Sequence, residues 1–173
     1  MKLYLKGHNY RYATEQMLLT LFPGERPEYP TSRTGRGGNS LVLTLSRAKS
    51  WATAHALLTY EGKTYSHFSR APDPPEHTDR LERDRVLQRI LKTAFYRAGT
   101  EALGREPPWG ALTGVRPVKL PTRSLLAGAS PEQAKGELEE EYHVSPVRAQ
   151  LALDCARASV AARSALGERE VSV

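Results

Sequence analysis

The chain has 173 residues, 39% apolar and 25% charged, which fits an ordinary globular composition rather than a disordered one. A net charge of +6 and a pI near 9.6 admit an anionic partner without naming it. No apolar run is long enough to span a membrane, and one cysteine excludes an internal disulfide or a multi-cysteine metal site.

The opening KLYLKG alternates Leu3 and Leu5 with Lys2, Tyr4 and Lys6, the period of a half-buried strand. The charge it carries throughout is unlike a signal peptide. YATEQMLLTLF then places Ala13, Met17, Leu18 and Leu21 on one helical face. PGERPEYPTSRTGRGGNS has loop composition. Its Arg33, Arg36 and glycines lack the order of a phosphate-binding loop. LVLTL, WATAHALLTY and KTYSHFSR read as an antiparallel meander, with Glu61-Gly62 as a tight hairpin turn. His55 and His67 lie in that meander without a third ligand beside them, so no metal site is expected.

APDPPEH breaks the pattern. Asp79 and Glu82 then form the spacing of a capping box. Leu87, Ile90, Leu91, Ala94 and Ala98 mark the buried stripe of a long helix that ends before Gly104. PPWGALTGVRPVKL follows, too rich in proline and glycine for a regular element. Ser130-Pro131 with Gln133, and later Ser145-Pro146, signal two further helix starts. The second helix is expected to stop at Gly167, with EREVSV opening a strand. Cys155 reads as a small apolar residue on that helix.

The fold class is therefore α+β: strand, helix and antiparallel meander closed by a long helix, followed by a short helical segment. The expected divisions are an N-terminal domain over 1–105, a helical connector over 106–167, and the start of a strand over 168–173. Residues 1–60 hold eight Lys or Arg against three Glu, which motivates an alternative reading as a basic RNA- or polyanion-binding module. Linear interleaving of basic and aromatic residues along the whole chain is not evident, so nucleic acid is not the expected partner. The lone cysteine and the charged N-terminus point to the cytoplasm.

WGALTGVRPVKL followed by SPEQAKGELEEEY resembles the N-terminal region of HemZ-type coproporphyrinogen dehydrogenases, radical S-adenosylmethionine proteins related to oxygen-independent coproporphyrinogen III oxidase. Trp109, Gly110, Leu112, Thr113, Gly114, Arg116, Pro117 and Lys119 carry the first half of the resemblance. Ser130, Glu132, Gln133, Ala134, Glu137, Leu138 and Tyr142 carry the second. It implies a downstream barrel with a CxxxCxxC loop holding a [4Fe–4S] cluster and S-adenosylmethionine, with this chain as the N-terminal piece. No cofactor, metal or catalytic residue is then expected in this chain, since such a cluster needs three thiolates. The implied partners are the barrel in cis and a porphyrinogen substrate, with no membrane.

Two roles for the motif stay open. As a staple between domains, Thr113 would satisfy its own turn, Gly114 would supply a positive φ, and Pro117 would open the next helix. Trp109 would bury against a neighbour, and Arg116 would pair with a carboxylate of the downstream domain. As a binding site, Arg116 and Lys119 would hold a substrate carboxylate beside a helix N-terminus.

Overall fold

The computed structural model describes residues 1–30, 38–113 and 116–170, with side chains described as far as Arg163. Arg33, Arg36 and Gly114 lie outside the described residues. The chain divides into two compact units, Met1–Pro107 and Pro108–Val173.

The first unit is α+β. It runs β1 (Lys2–Lys6), α1 (Arg11–Leu21), β2 (Ser40–Arg47), β3 (Trp51–Tyr60), β4 (Lys63–Pro72) and α2 (Arg80–Leu103). The strands form one sheet in the order β1-β2-β3-β4. β1 pairs parallel to β2, from Lys2 opposite Ser40 to Lys6 opposite Thr44. That pairing needs a crossover connection, which α1 supplies. β2, β3 and β4 form the antiparallel meander. Its second turn has Glu61 at φ 49° and Gly62 at φ 78°. Two consecutive positive φ values match the strand twist in a two-residue hairpin.

Alternation sends Leu3, Leu41, Leu43, Leu45, Ala52, Ala54, Ala56 and Leu58 to one face of the sheet, where all are buried. The three alanines of β3 leave room for α2, which packs across β3 and β4 with Leu87, Ile90, Leu91, Ala94, Phe95 and Ala98 buried. Each leucine fully buried here contributes roughly 1.5–3 kcal/mol. α1 packs beside α2, where Gly99 makes space for the Leu21 side chain. Phe22, just after α1, lies against Tyr60 and Phe95, with ring centroids 4.7 and 6.4 Å away. Asp79 caps α2 by accepting from the N–H groups of Leu81 and Glu82 at 3.0 and 3.3 Å.

The second unit is helical: α3 (Lys119–Leu126), α4 (Pro131–Gly136), a π-helical turn (Glu137–Glu141) and α5 (Pro146–Glu170). The capping box at α4 is complete. Ser130 N–H donates to Gln133 Oε1 at 2.8 Å, and Gln133 N–H donates to Ser130 Oγ at 3.2 Å. Leu112, Leu138, Val144, Ala149 and Ala152 form the core, with Trp109, Leu120 and Tyr142 packed against it.

Two expectations are corrected in this unit. α5 does not stop at Gly167, and 168–170 do not begin a strand: the helix continues to Glu170, while 171–173 lie outside the described residues. One glycine inside a helix costs only about 1 kcal/mol, and the Glu-Arg-Glu that follows favours helix. Alternation over so few residues was a weak strand signal. Pro117 does not open α3, which begins at Lys119. The Lys119 N–H donates to the Arg116 carbonyl at 2.9 Å, so Pro117 lies within a turn that precedes the helix.

Candidate functional site

The WGALTG segment is held by the turn that follows the π-helical residues. Ala111 N–H donates to the Tyr142 carbonyl at 2.7 Å, and Ser145 N–H donates to the Pro108 carbonyl at 3.1 Å. Between these bonds Gly110 adopts φ 56°, with no room for a Cβ beside the carbonyls of Tyr142 and His143. Trp109 is half-buried against the helical core, and the Arg148 guanidinium sits 5.5 Å from its ring centroid. The neighbour that Trp109 packs on is therefore its own unit. Thr113 is buried.

The second half of the motif is also accounted for by packing and capping. Ala134 and Leu138 are buried, Tyr142 packs on the core, and Ser130 with Gln133 forms the capping box. Glu137 accepts from Ser124 Oγ at 2.6 Å and pairs with Arg123 at 3.4 Å. Glu132 lies in the first turn of α4, where its carboxyl is held below its ordinary range by backbone and Ser130 hydrogen bonds.

Arg116 and Lys119 differ from the rest. Both are exposed, three residues apart across the turn that precedes α3, and neither has an ion-pair partner among the described residues. Their joint chemistry is anion binding: a planar fork and a point charge on one short turn. No general base or nucleophile accompanies them among the residues of this turn.

A second surface, in the first unit, was not found by sequence reasoning. The sheet face opposite α2 carries Lys2, Tyr4 and Lys6 of β1, Val42 and Thr44 of β2, and Trp51, Thr53, His55 and Leu57 of β3. Ser66, Phe68 and Arg70 of β4 complete it. None of these residues is fully buried. Register brings them together: His55 opposes Phe68, and Thr53 opposes Arg70. The His55 and Phe68 rings stack with centroids 4.1 Å apart and planes at 8°, leaving Phe68 59% exposed. His55 Nε2 lies 2.9 Å from Ser66 Oγ. The Arg70 guanidinium lies 4.9 Å from the centroid of Trp51, itself 44% exposed. Toward the β1 side the same face dips into a depression of about 440 Å3 lined by Lys2, Tyr4, Asn39, Val42, Leu57 and Glu61. The signal in the sequence was period-2 spacing of aromatic and basic residues on separate strands, which only the pairing register converts into a surface.

Cys155 lies on the exposed side of α5. Among the described residues no three His, Cys, Asp or Glu side chains come together to hold a metal ion. One thiol cannot hold a [4Fe–4S] cluster, so the residues of this chain do not fit that group and no step is derived through it. No helix among the described residues is long and apolar enough to cross a membrane. No protein-family model, curated protein or solved structure matches the chain.

Proposed function

We propose that the chain is the N-terminal accessory part of a radical S-adenosylmethionine protein of porphyrin synthesis, resembling HemZ-type coproporphyrinogen dehydrogenases, and that it works in the cytoplasm. The reading rests on the WGALTGVRPVK and SPEQAKGELEEEY motifs. One observation carries its functional side. Packing, capping or ion pairing accounts for Trp109, Gly110, Leu112, Ala134, Glu137, Leu138 and Tyr142 of these motifs, whereas Arg116 and Lys119 are exposed and unengaged.

On this reading, the turn closed by the Lys119 N–H and the Arg116 carbonyl presents the two cations. Arg116 offers two parallel N–H groups to one propionate of a porphyrinogen, and Lys119 adds charge at the same end of the substrate. Fixing one propionate limits the orientations of the others, which is a positioning role rather than a chemical one. The downstream barrel would, on the same reading, hold the iron–sulfur cluster and S-adenosylmethionine, which would supply the oxidative decarboxylation. A carboxylate of that barrel is the competing partner for Arg116.

The test has two arms. Codons after Val173 should encode CxxxCxxC within a few tens of residues, and an immediate stop codon removes the reading. In the complete protein, Arg116→Ala with Lys119→Ala should weaken substrate binding by roughly 10- to 100-fold at unchanged thermal stability. Unchanged affinity assigns the pair away from substrate.

A further inference from the structure

We infer that the open face of the β-sheet is a binding platform for single-stranded RNA. This surface belongs to the first unit and is independent of the motif reading for the second. Three properties of the face point to that occupant.

The first is charge. None of the four strands contains an Asp or Glu, while they carry Lys2, Lys6, Arg47, Lys63 and Arg70. Of these, Lys2, Lys6 and Arg70 belong to the open face. The carboxylates at its margins are Glu61 in the hairpin turn, Asp73 after β4 and the exposed Glu28, which bridges opposite Lys2 beside β1. Asp73 is held by Arg47, with Arg47 Nε at 3.0 and 2.9 Å from its two oxygens. With Lys2 set opposite Glu28, the basic character of the face rests on Lys6 and Arg70, which suits an anion.

The second is flat aromatic area offered to solvent. Phe68 is backed by His55 at 4.1 Å, so the pair is stacked from within and the phenyl ring is left exposed. Trp51 is backed in the same way by Arg70. Buttressed rings lose little further freedom when a base stacks on them, and every base has a face to stack. Tyr4 adds a third ring at the depression toward the β1 edge of the same face.

The third is the polar lining of the face. It is made of hydroxyls: Ser40, Thr44, Thr53, Thr59, Thr64 and Ser66. Hydroxyls both donate and accept, which suits base edges and the 2′-hydroxyl of ribose. Val42 and Leu57 link Tyr4 to the His55–Phe68 pair, so self-association through this apolar strip is the competing use of the face.

The experiment uses the 173-residue chain and a fluorescein-labelled 12-nucleotide single-stranded RNA of mixed sequence, read by fluorescence anisotropy. Binding is expected at low salt and should weaken with added salt, with a log–log slope of about −0.7 per phosphate contacted. Phe68→Ala and Trp51→Ala should each weaken it by about 5- to 100-fold. Both side chains are exposed, so circular dichroism and thermal melting should be unchanged. Arg116→Ala with Lys119→Ala should leave RNA binding unaffected, which separates this surface from the motif turn. DNA of the same sequence should bind more weakly.

No binding at low salt overturns the inference. So does binding that ignores Phe68→Ala and Trp51→Ala, which would be charge adsorption alone. Equal or tighter binding of the DNA overturns the assignment to RNA. Self-association of the chain that Phe68→Ala abolishes would make the face a protein interface instead.

Discussion

Gly110 lies directly against the backbone carbonyl of Tyr142, thirty-two positions further along the chain, with no space between them for a Cβ. The contact closes the second unit: the next residue, Ala111, donates its N–H to that same carbonyl at 2.7 Å. Gly110→Ala adds a methyl to a backbone at φ 56° and forces this bond apart. The expected loss exceeds about 3 kcal/mol, from strain together with the clash. Gly128→Ala is the control, because Gly128 has φ 89° but open space around it, and it should cost only about 1 kcal/mol. Urea unfolding of both variants decides this. Equal costs would mean that the clasp at Gly110 is not tight.

Asp79 tests the start of α2. Its carboxylate accepts from two N–H groups of the first turn, so Asp79→Ala should lower stability by about 1 kcal/mol. Asp79→Asn keeps an accepting oxygen and should recover most of the loss in the same urea titration. If alanine and asparagine behave alike, the cap contributes nothing.

Glu25 gives a pH-dependent prediction. Its carboxyl is held below its ordinary value of 4.5, first by the hydrogen bond from the Met1 ammonium and then by that from Asn39. The ammonium is 2.6 Å from Glu25 Oε2 and is itself buried. A folded-state pKa below the unfolded one means the stabilisation is fully present above pH 4.5 and disappears as pH falls through the lower, folded value. Glu25→Gln should therefore cost roughly 1.5–3 kcal/mol at pH 7. The gap to the unsubstituted protein should close in acid. A gap that stays constant from pH 7 to about pH 2 would sink the assignment.

Much of the first unit was legible from residue spacing. Leu41, Leu43 and Leu45 alternate cleanly, and Leu87, Ile90, Leu91 and Ala94 keep helical period, because one buried face leaves a simple repeat in the sequence. Glu61-Gly62 could be read as a turn from its residue types. The parallel partner of β1 could not, since alternation says which face is buried and not which strand lies beside it. The ring pairs on the open face were hidden for the same reason: Trp51 and Arg70 are nineteen positions apart and meet only through register. In the second unit, the capping box at Ser130 follows from local chemistry, whereas the clasp depends on Gly110 meeting a distant carbonyl. Helix α5 ran past its expected stop because glycine permits a helix end without compelling one.

The sheet register also sets an order of assembly. β2, β3 and β4 are joined by a three-residue and a two-residue connection, but Lys2 must find Ser40 across the whole of α1 and the segment beyond it. Loop closure becomes more costly by about 0.6 kcal/mol for each doubling of length. The meander can therefore nucleate early, and β1 docks late, once α1 has a surface to lie on. In native-state hydrogen exchange, amides of β1 should open at lower free energy than those of β3, and the reverse ranking would refute this order. An edge strand that arrives last and leaves first would make the Met1–Glu25 ion pair a latch on the sheet: the contact that decides how often the finished fold reopens from that edge.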